Sequence, residues 1–232
     1  MASTDPAAEL GRVVERVVFE EFFDNSPALL DEEYAPYEPA SMFLCVIDQR
    51  RLVPAGVMRL IVPSPVGLKT LDDIERVWGA RADEVIAQSG TAIDRRRCWD
   101  VATFAITDEY RGAATEGLVS LSLYQALVLT ARAADVPWFV AVLDVKVLDA
   151  IDERMGNPFT RFPGLEALPY LDSPASRPVF VDLDGYQPRI AALDMNLHDI
   201  MFRGTGLEAA VWTPDWVSAT RAALPVFDEV DL

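Results

Sequence analysis

Histidine occurs once in the 232 residues, at His198, and cysteine twice, at Cys45 and Cys98. A single imidazole excludes mechanisms that need a histidine pair on zinc, and HExxH, GxSxG and P-loop patterns are all absent. The two cysteines lie apart in apolar stretches, so they build neither a disulfide framework nor a CxxC metal site and read as small hydrophobes. No metal is implied. Positive charge is scarce: 20 Lys+Arg stand against 37 Asp+Glu, a net charge of −17. Binding nucleic-acid phosphates or an anionic membrane needs a basic field, so neither is an expected partner. The longest apolar stretch, residues 118–131, is broken by Ser120, Ser122, Gln125 and Thr130, unlike a membrane span of ~20 apolar residues. Residues 1–6 carry no basic and apolar leader pattern, and the expected location is the cytoplasm.

What is present is apolar material: 51% of residues are hydrophobic, enough to bury a core against the entropy of ordering. At ~150 residues per domain the length fits one large domain or one with an appendage. Leu10, Val13, Val14, Val17 and Val18 recur at helical spacing and predict an amphipathic helix over 7–23. Three prolines and an acidic run make 25–39 irregular or briefly helical. Runs at 42–48 and 56–62 read as a β-hairpin, followed by polar, irregular sequence with one helix near 82–88. Residues 99–107 form a strand apolar on both faces, 118–134 a helix apolar almost all round, 138–143 a buried strand and 145–154 a second helix. This βαβα order makes the two strands parallel neighbours. A later strand is expected at 178–183, and Thr213, Pro214 and Asp215 look like a capped helix start.

Several local patterns then converge. Trp99 to Ile106, Tyr110-Arg-Gly112, the apolar helix, Val142-Leu-Asp144 and Met155-Gly156 resemble the GNAT superfamily of acyltransferases. Within it the chain is most similar to the acyl-homoserine-lactone synthases and N-acyl amino acid synthases. Their W-E-[LI]-S-R-F strand is matched by Trp99, Asp100, Val101, Ala102, Thr103 and Phe104, their G-x-x-R-L by Gly56 to Leu60, and an aromatic by Phe19. The resemblance spans roughly residues 12–189 and implies an α/β GNAT fold, a mixed central sheet with flanking helices. Domain 1–193 would carry it, with 194–232 a helical extension. The implied activity moves an acyl group from a coenzyme A or acyl-carrier-protein thioester to the amine of a small molecule. A GNAT-fold binding or regulatory protein without acyl transfer is the alternative. The lactone synthases' E-x-D-x-x-D set aligns with Glu33, Ala35 and Glu38, their strand arginine is Thr103, and their tryptophan has no counterpart at Asn25. S-adenosylmethionine is therefore not an expected substrate.

Asp100 is the candidate general base, because a carboxylate entering a doubly buried strand has a raised pKa; the competing reading pairs it with one of Arg95, Arg96 and Arg97. Glu33 and Glu38 are rival carboxylates for the acceptor amine. Arg59, among apolar neighbours, needs a partner: Glu33, Glu38 or a substrate carboxylate. The resemblance further implies substrate contacts at Thr103, Phe104, Trp138 and Asp144. Donor contacts are implied at Ala105, Ile106, Thr107, Arg111, Gly112, Ala113 and Ala114, where a loop opening a helix offers free N–H groups. The run Arg95 to Arg97, the densest positive cluster, is the expected dock for an acidic carrier protein or nucleotide phosphates. The donor itself is expected between the strands carrying Phe104 and Trp138.

Overall fold

A computed structural model describes residues 1–23, 26–111 and 117–207. Its centre is a seven-stranded sheet of order β1-β2-β3-β4-β7-β5, with β6 also paired to β7. The strands are β1 (Ser41–Asp48), β2 (Val53–Ile61), β3 (Cys98–Ile106), β4 (Trp138–Asp144), β5 (Thr160–Arg161), β6 (Leu168–Tyr170) and β7 (Ser173–Asp182). β1 and β2 form the expected antiparallel hairpin, β2 and β3 are antiparallel, and β3 and β4 are parallel. The crossover between them is α5 (Leu118–Ala133), and α6 (Val145–Met155) follows β4, so the βαβα unit is present as read. β7 runs antiparallel to β4, which makes the sheet mixed.

The helices lie on both faces because successive strand residues alternate. Met58 and Leu60 meet Leu123 and Leu127 of α5 on one face. Val57, Phe43 and Ala105 meet Val14 and Val18 of α1 (Ala8–Phe23) on the other. α1 is turned from the expected orientation: Leu10, Val13 and Val17 are exposed, while Ala8, Val14, Glu15 and Val18 are buried. The cause is Gly11, which lets the helix lie so close that a Cβ there would meet Phe43 at 2.8 Å. Gly56 plays the same part under α5, where a Cβ would stand 2.8 Å from Val119 and 3.2 Å from the Ala105 carbonyl oxygen. Gly56→Ala is therefore expected to cost about 1–3 kcal/mol by overpacking, read as a lowered melting temperature.

Residues 27–40 form α2 (Pro27–Tyr34) and a 3₁₀ turn. α4 (Ala82–Gln88) is where expected, but α3 (Lys69–Arg76) lies in sequence read as irregular. Of the expected extension, residues 194–207 are described, and Leu197, Met201 and Phe202 pack in the main core. After α7 (Leu183–Leu193) and α8 (Met195–His198), Met201 and Phe202 pack in the cluster built on α5, and Gln125 and Arg132 donate to the carbonyls of Ile200 and Phe202. The helix start expected at Thr213 lies outside the described residues.

Candidate active site

β3 and β4 pair over three positions only, Cys98 with Trp138, Trp99 with Phe139 and Asp100 with Val140. Beyond these each strand follows its outer neighbour, β3 pairing with β2 out to Ile106 and β4 with β7 out to Asp144. A register shift beside Arg59 and Leu60 helps turn β3 away. The strands thus splay from Asp100 onward. A cavity of about 180 Å³ occupies the splay, lined on one side by residues such as Phe104, Tyr124, Leu127, Ile151 and Tyr186, and on the other by Tyr34, Lys69, Thr70 and Tyr170. Met58 and Phe104 face α5, whereas Thr103 meets Glu15 of α1, and all but Glu15 line the cavity. The cavity therefore crosses the sheet from one face to the other. One wall is apolar, with Phe104 stacked on Tyr124 at 5.1 Å. The other is polar.

Asp100 sits at the apex, fully buried. Its Oδ2 accepts from the Thr70 backbone N–H at 2.5 Å and its Oδ1 from the Thr70 hydroxyl at 2.9 Å. No arginine pairs with it among the described residues, which corrects the ion-pair reading; Arg95 and Arg97 pair instead with Asp83 and Asp135. Burial pushes the Asp100 carboxyl up to about 7, against the opposing pull of the Thr70 hydrogen bonds and the Lys69 charge. The same contact caps α3, because Thr70 is in its first turn and Leu68 offers no side-chain cap. Beside it, Lys69 Nζ donates to Glu33, Asp73 and the Tyr170 hydroxyl, each at 2.6 Å, and Arg76 bonds Glu33 and Asp73 as well.

The candidate carboxylates therefore separate. Glu33 belongs to the Lys69 cluster and Glu38 to a second one, where it pairs with Arg12 and Arg59. Arg59 does not reach Glu33. Its main partner is Glu15, bonded through Nε at 2.9 Å and Nη2 at 2.7 Å, with Glu38 at 2.6 Å on Nη1. Burial pulls the Arg59 guanidinium down, but Glu15 and then Glu38 outweigh it and hold it above its ordinary value. The Tyr34 ring divides the two clusters, with Arg59 at 4.6 Å and Lys69 at 5.5 Å from its centroid. Glu15 carried no signal in the sequence beyond a polar residue in an amphipathic helix, and Thr103 donates its hydroxyl to it.

Other expected contacts are distributed along the strands. Phe104, Thr103 and Asp144 line the cavity. Trp138 does not: it stands in the paired, closed end and packs on Phe180. Ala105 and Ile106 turn into packed clusters, Thr107 gives both its N–H and its hydroxyl to the Ala55 carbonyl, and none of the three lines the cavity. Arg111 donates from Nε to the Ile106 carbonyl at 2.6 Å and lies 3.6 Å from the Phe22 ring centroid. Burial lowers its pKa. Gly112, Ala113 and Ala114 lie outside the described residues, as does Asn25. Arg95 to Arg97 precede β3 and so stand at the closed end, some ~30 Å along a nine-residue strand from the mouth. That position removes them as a dock for a donor entering the splay. Burial raises both thiols, Cys45 to about 12, in keeping with inert cysteines.

No family model and no curated protein matches the sequence. Among solved structures, FeeM, an N-acyl amino acid synthase from uncultured soil microbes, is similar with a TM-score of 0.58 at 15% identity, covering 80% of this chain and 96% of that one. A CoA-dependent acyl-homoserine lactone synthase, BjaI, solved with SAM and isopentyl-CoA, is similar with a TM-score of 0.51 at 16% identity, covering 82% and 87%. The mixed sheet, the splayed parallel pair and these two likenesses together show that the chain has the GNAT fold.

Proposed function

We propose that the protein is an N-acyltransferase that moves an acyl group from a coenzyme A thioester to the amine of a small molecule. The observation that carries this reading is the cavity crossing the sheet at the β3–β4 splay, apolar on one face and polar on the other. The apolar wall suits an acyl chain, and beyond Asp100 the edge of β3 turned away from β2 offers N–H groups to pantetheine amides and the thioester carbonyl. The amine approaches from the Lys69 and Asp100 side. Its nitrogen attacks the carbonyl carbon, the C–N bond forms, the C–S bond breaks, and Asp100 takes the amine proton that finally reaches the leaving thiolate. A carboxyl group at about 7 is matched to that exchange near neutral pH. BjaI, by its name CoA-dependent and solved with isopentyl-CoA, supports coenzyme A as the donor. FeeM and BjaI, by their names, act on acyl groups, and this supports the same class of chemistry here.

Val142 of β4, paired with Pro178 of β7, lines the splay between β3 and β4. Val142→Phe fills it, so calorimetry should show at least about tenfold weaker binding of decanoyl-CoA, on the order of the loss that overpacking a hydrophobic pocket brings. Binding of unchanged strength would place the donor elsewhere.

A further inference from the structure

Among the described residues, the polar wall has no side-chain N–H or hydroxyl proton left to give. The Tyr34 hydroxyl donates to the Ala102 carbonyl, the Thr70 hydroxyl to Asp100 and the Tyr170 hydroxyl to Asp73. All three Lys69 protons are engaged. Further along the cavity, the Ser173 hydroxyl donates to Asp144 Oδ2 at 2.7 Å and the Ser176 hydroxyl to Ser173 at 2.9 Å. The direction of that chain is fixed, because a carboxylate only accepts. Ser176 Oγ is left as an acceptor, and both serines are buried and line the cavity. Charge points the same way: Lys69 and Arg76 are balanced by Glu33 and Asp73, leaving the Asp144 carboxylate, whose Oδ1 caps α6, and Asp100 once it ionises.

Resting on the acyl-transfer reading, we propose that the acceptor is a carboxylate-free amine with a second N–H or O–H donor, a diamine or an amino alcohol, held by Ser176 and Asp144 while its nucleophilic nitrogen meets Asp100. An amino acid would bring its carboxylate against a wall made of acceptors, where among the described residues no side-chain donor replaces the water it loses. This selects against the acceptor class that FeeM's name describes.

Matched pairs that differ only by the carboxylate test it: cadaverine against lysine, putrescine against ornithine, ethanolamine against serine, each with decanoyl-CoA and product followed by mass spectrometry. The decarboxylated member should show kcat/KM higher by a factor on the order of 10² or more. Ser176→Ala should raise KM for cadaverine about tenfold with kcat little changed. Equal rates within the pairs, or preference for the amino acid, overturn the proposal, as does decanoyl-CoA that binds and is hydrolysed without acylating either member. An unchanged KM in Ser176→Ala removes that serine from the site. Absence of decanoyl-CoA binding overturns the acyl-transfer reading, and this inference with it.

Discussion

Asp100→Asn is expected to lower turnover by about 10² to 10⁴ while leaving the protein folded and, at neutral pH, more stable than the parent. The asparagine keeps both contacts to Thr70, accepting from its backbone N–H and donating to its hydroxyl, so the cap on α3 survives. What is lost is proton acceptance. The stability change follows from linkage. The unfolded carboxyl ionises near 4, whereas the folded one holds its proton to about 7, so the stabilisation is complete below pH 4 and is lost as pH rises to about 7. Above that, the buried carboxylate costs roughly 4 kcal/mol relative to its pH 4 state, at 1.36 kcal/mol per pH unit. Asparagine has no such dependence. Melting curves from pH 4 to 8 should therefore converge at the acid end and separate toward neutrality, with the variant higher. A variant that melts lower at every pH, with turnover per folded molecule intact, would make Asp100 a helix cap and nothing more.

Arg59→Met is expected to destabilise the fold by about 3–5 kcal/mol, because it leaves Glu15 buried with only the Thr103 hydroxyl to satisfy it. For a chain of this size that is roughly 6–20 °C in melting temperature. Combining it with Glu15→Gln removes the stranded charge and should recover much of the loss. The arginine thus ties α1 to β2, with Glu38 bringing in the 3₁₀ turn. A variant of unchanged stability with a sharply raised KM would instead return Arg59 to a substrate-binding role.

The hairpin, the parallel pair and the long crossover helix were legible because each rests on local periodicity and short connections, and these physical signals agree along the chain. The splay was legible only through family resemblance, since strand propensity does not say where pairing stops. α3 was hidden because its cap is not local: it comes from Asp100, thirty positions along the chain. Glu15 was hidden for a related reason, as a carboxylate on an amphipathic helix ordinarily faces water, and only Arg59 and Thr103 across the interface make its burial tolerable. Lys69 and the short stretch holding Tyr170, Ser173 and Ser176 are two segments far apart in the chain, with no spacing to link them. Trp138 and Arg95 to Arg97 were misplaced for one reason: nearness in sequence to the site strands says nothing about which end of a strand is open.

The central claim is acyl transfer through the splay, and one incubation tests it most directly. The protein is mixed with decanoyl-CoA and cadaverine at neutral pH, and free coenzyme A and N-decanoylcadaverine are quantified together by mass spectrometry. The account predicts equal amounts of the two, both suppressed in Asp100→Asn and in Val142→Phe. Intact decanoyl-CoA after prolonged incubation, or amide formed equally well by all three proteins, would contradict it.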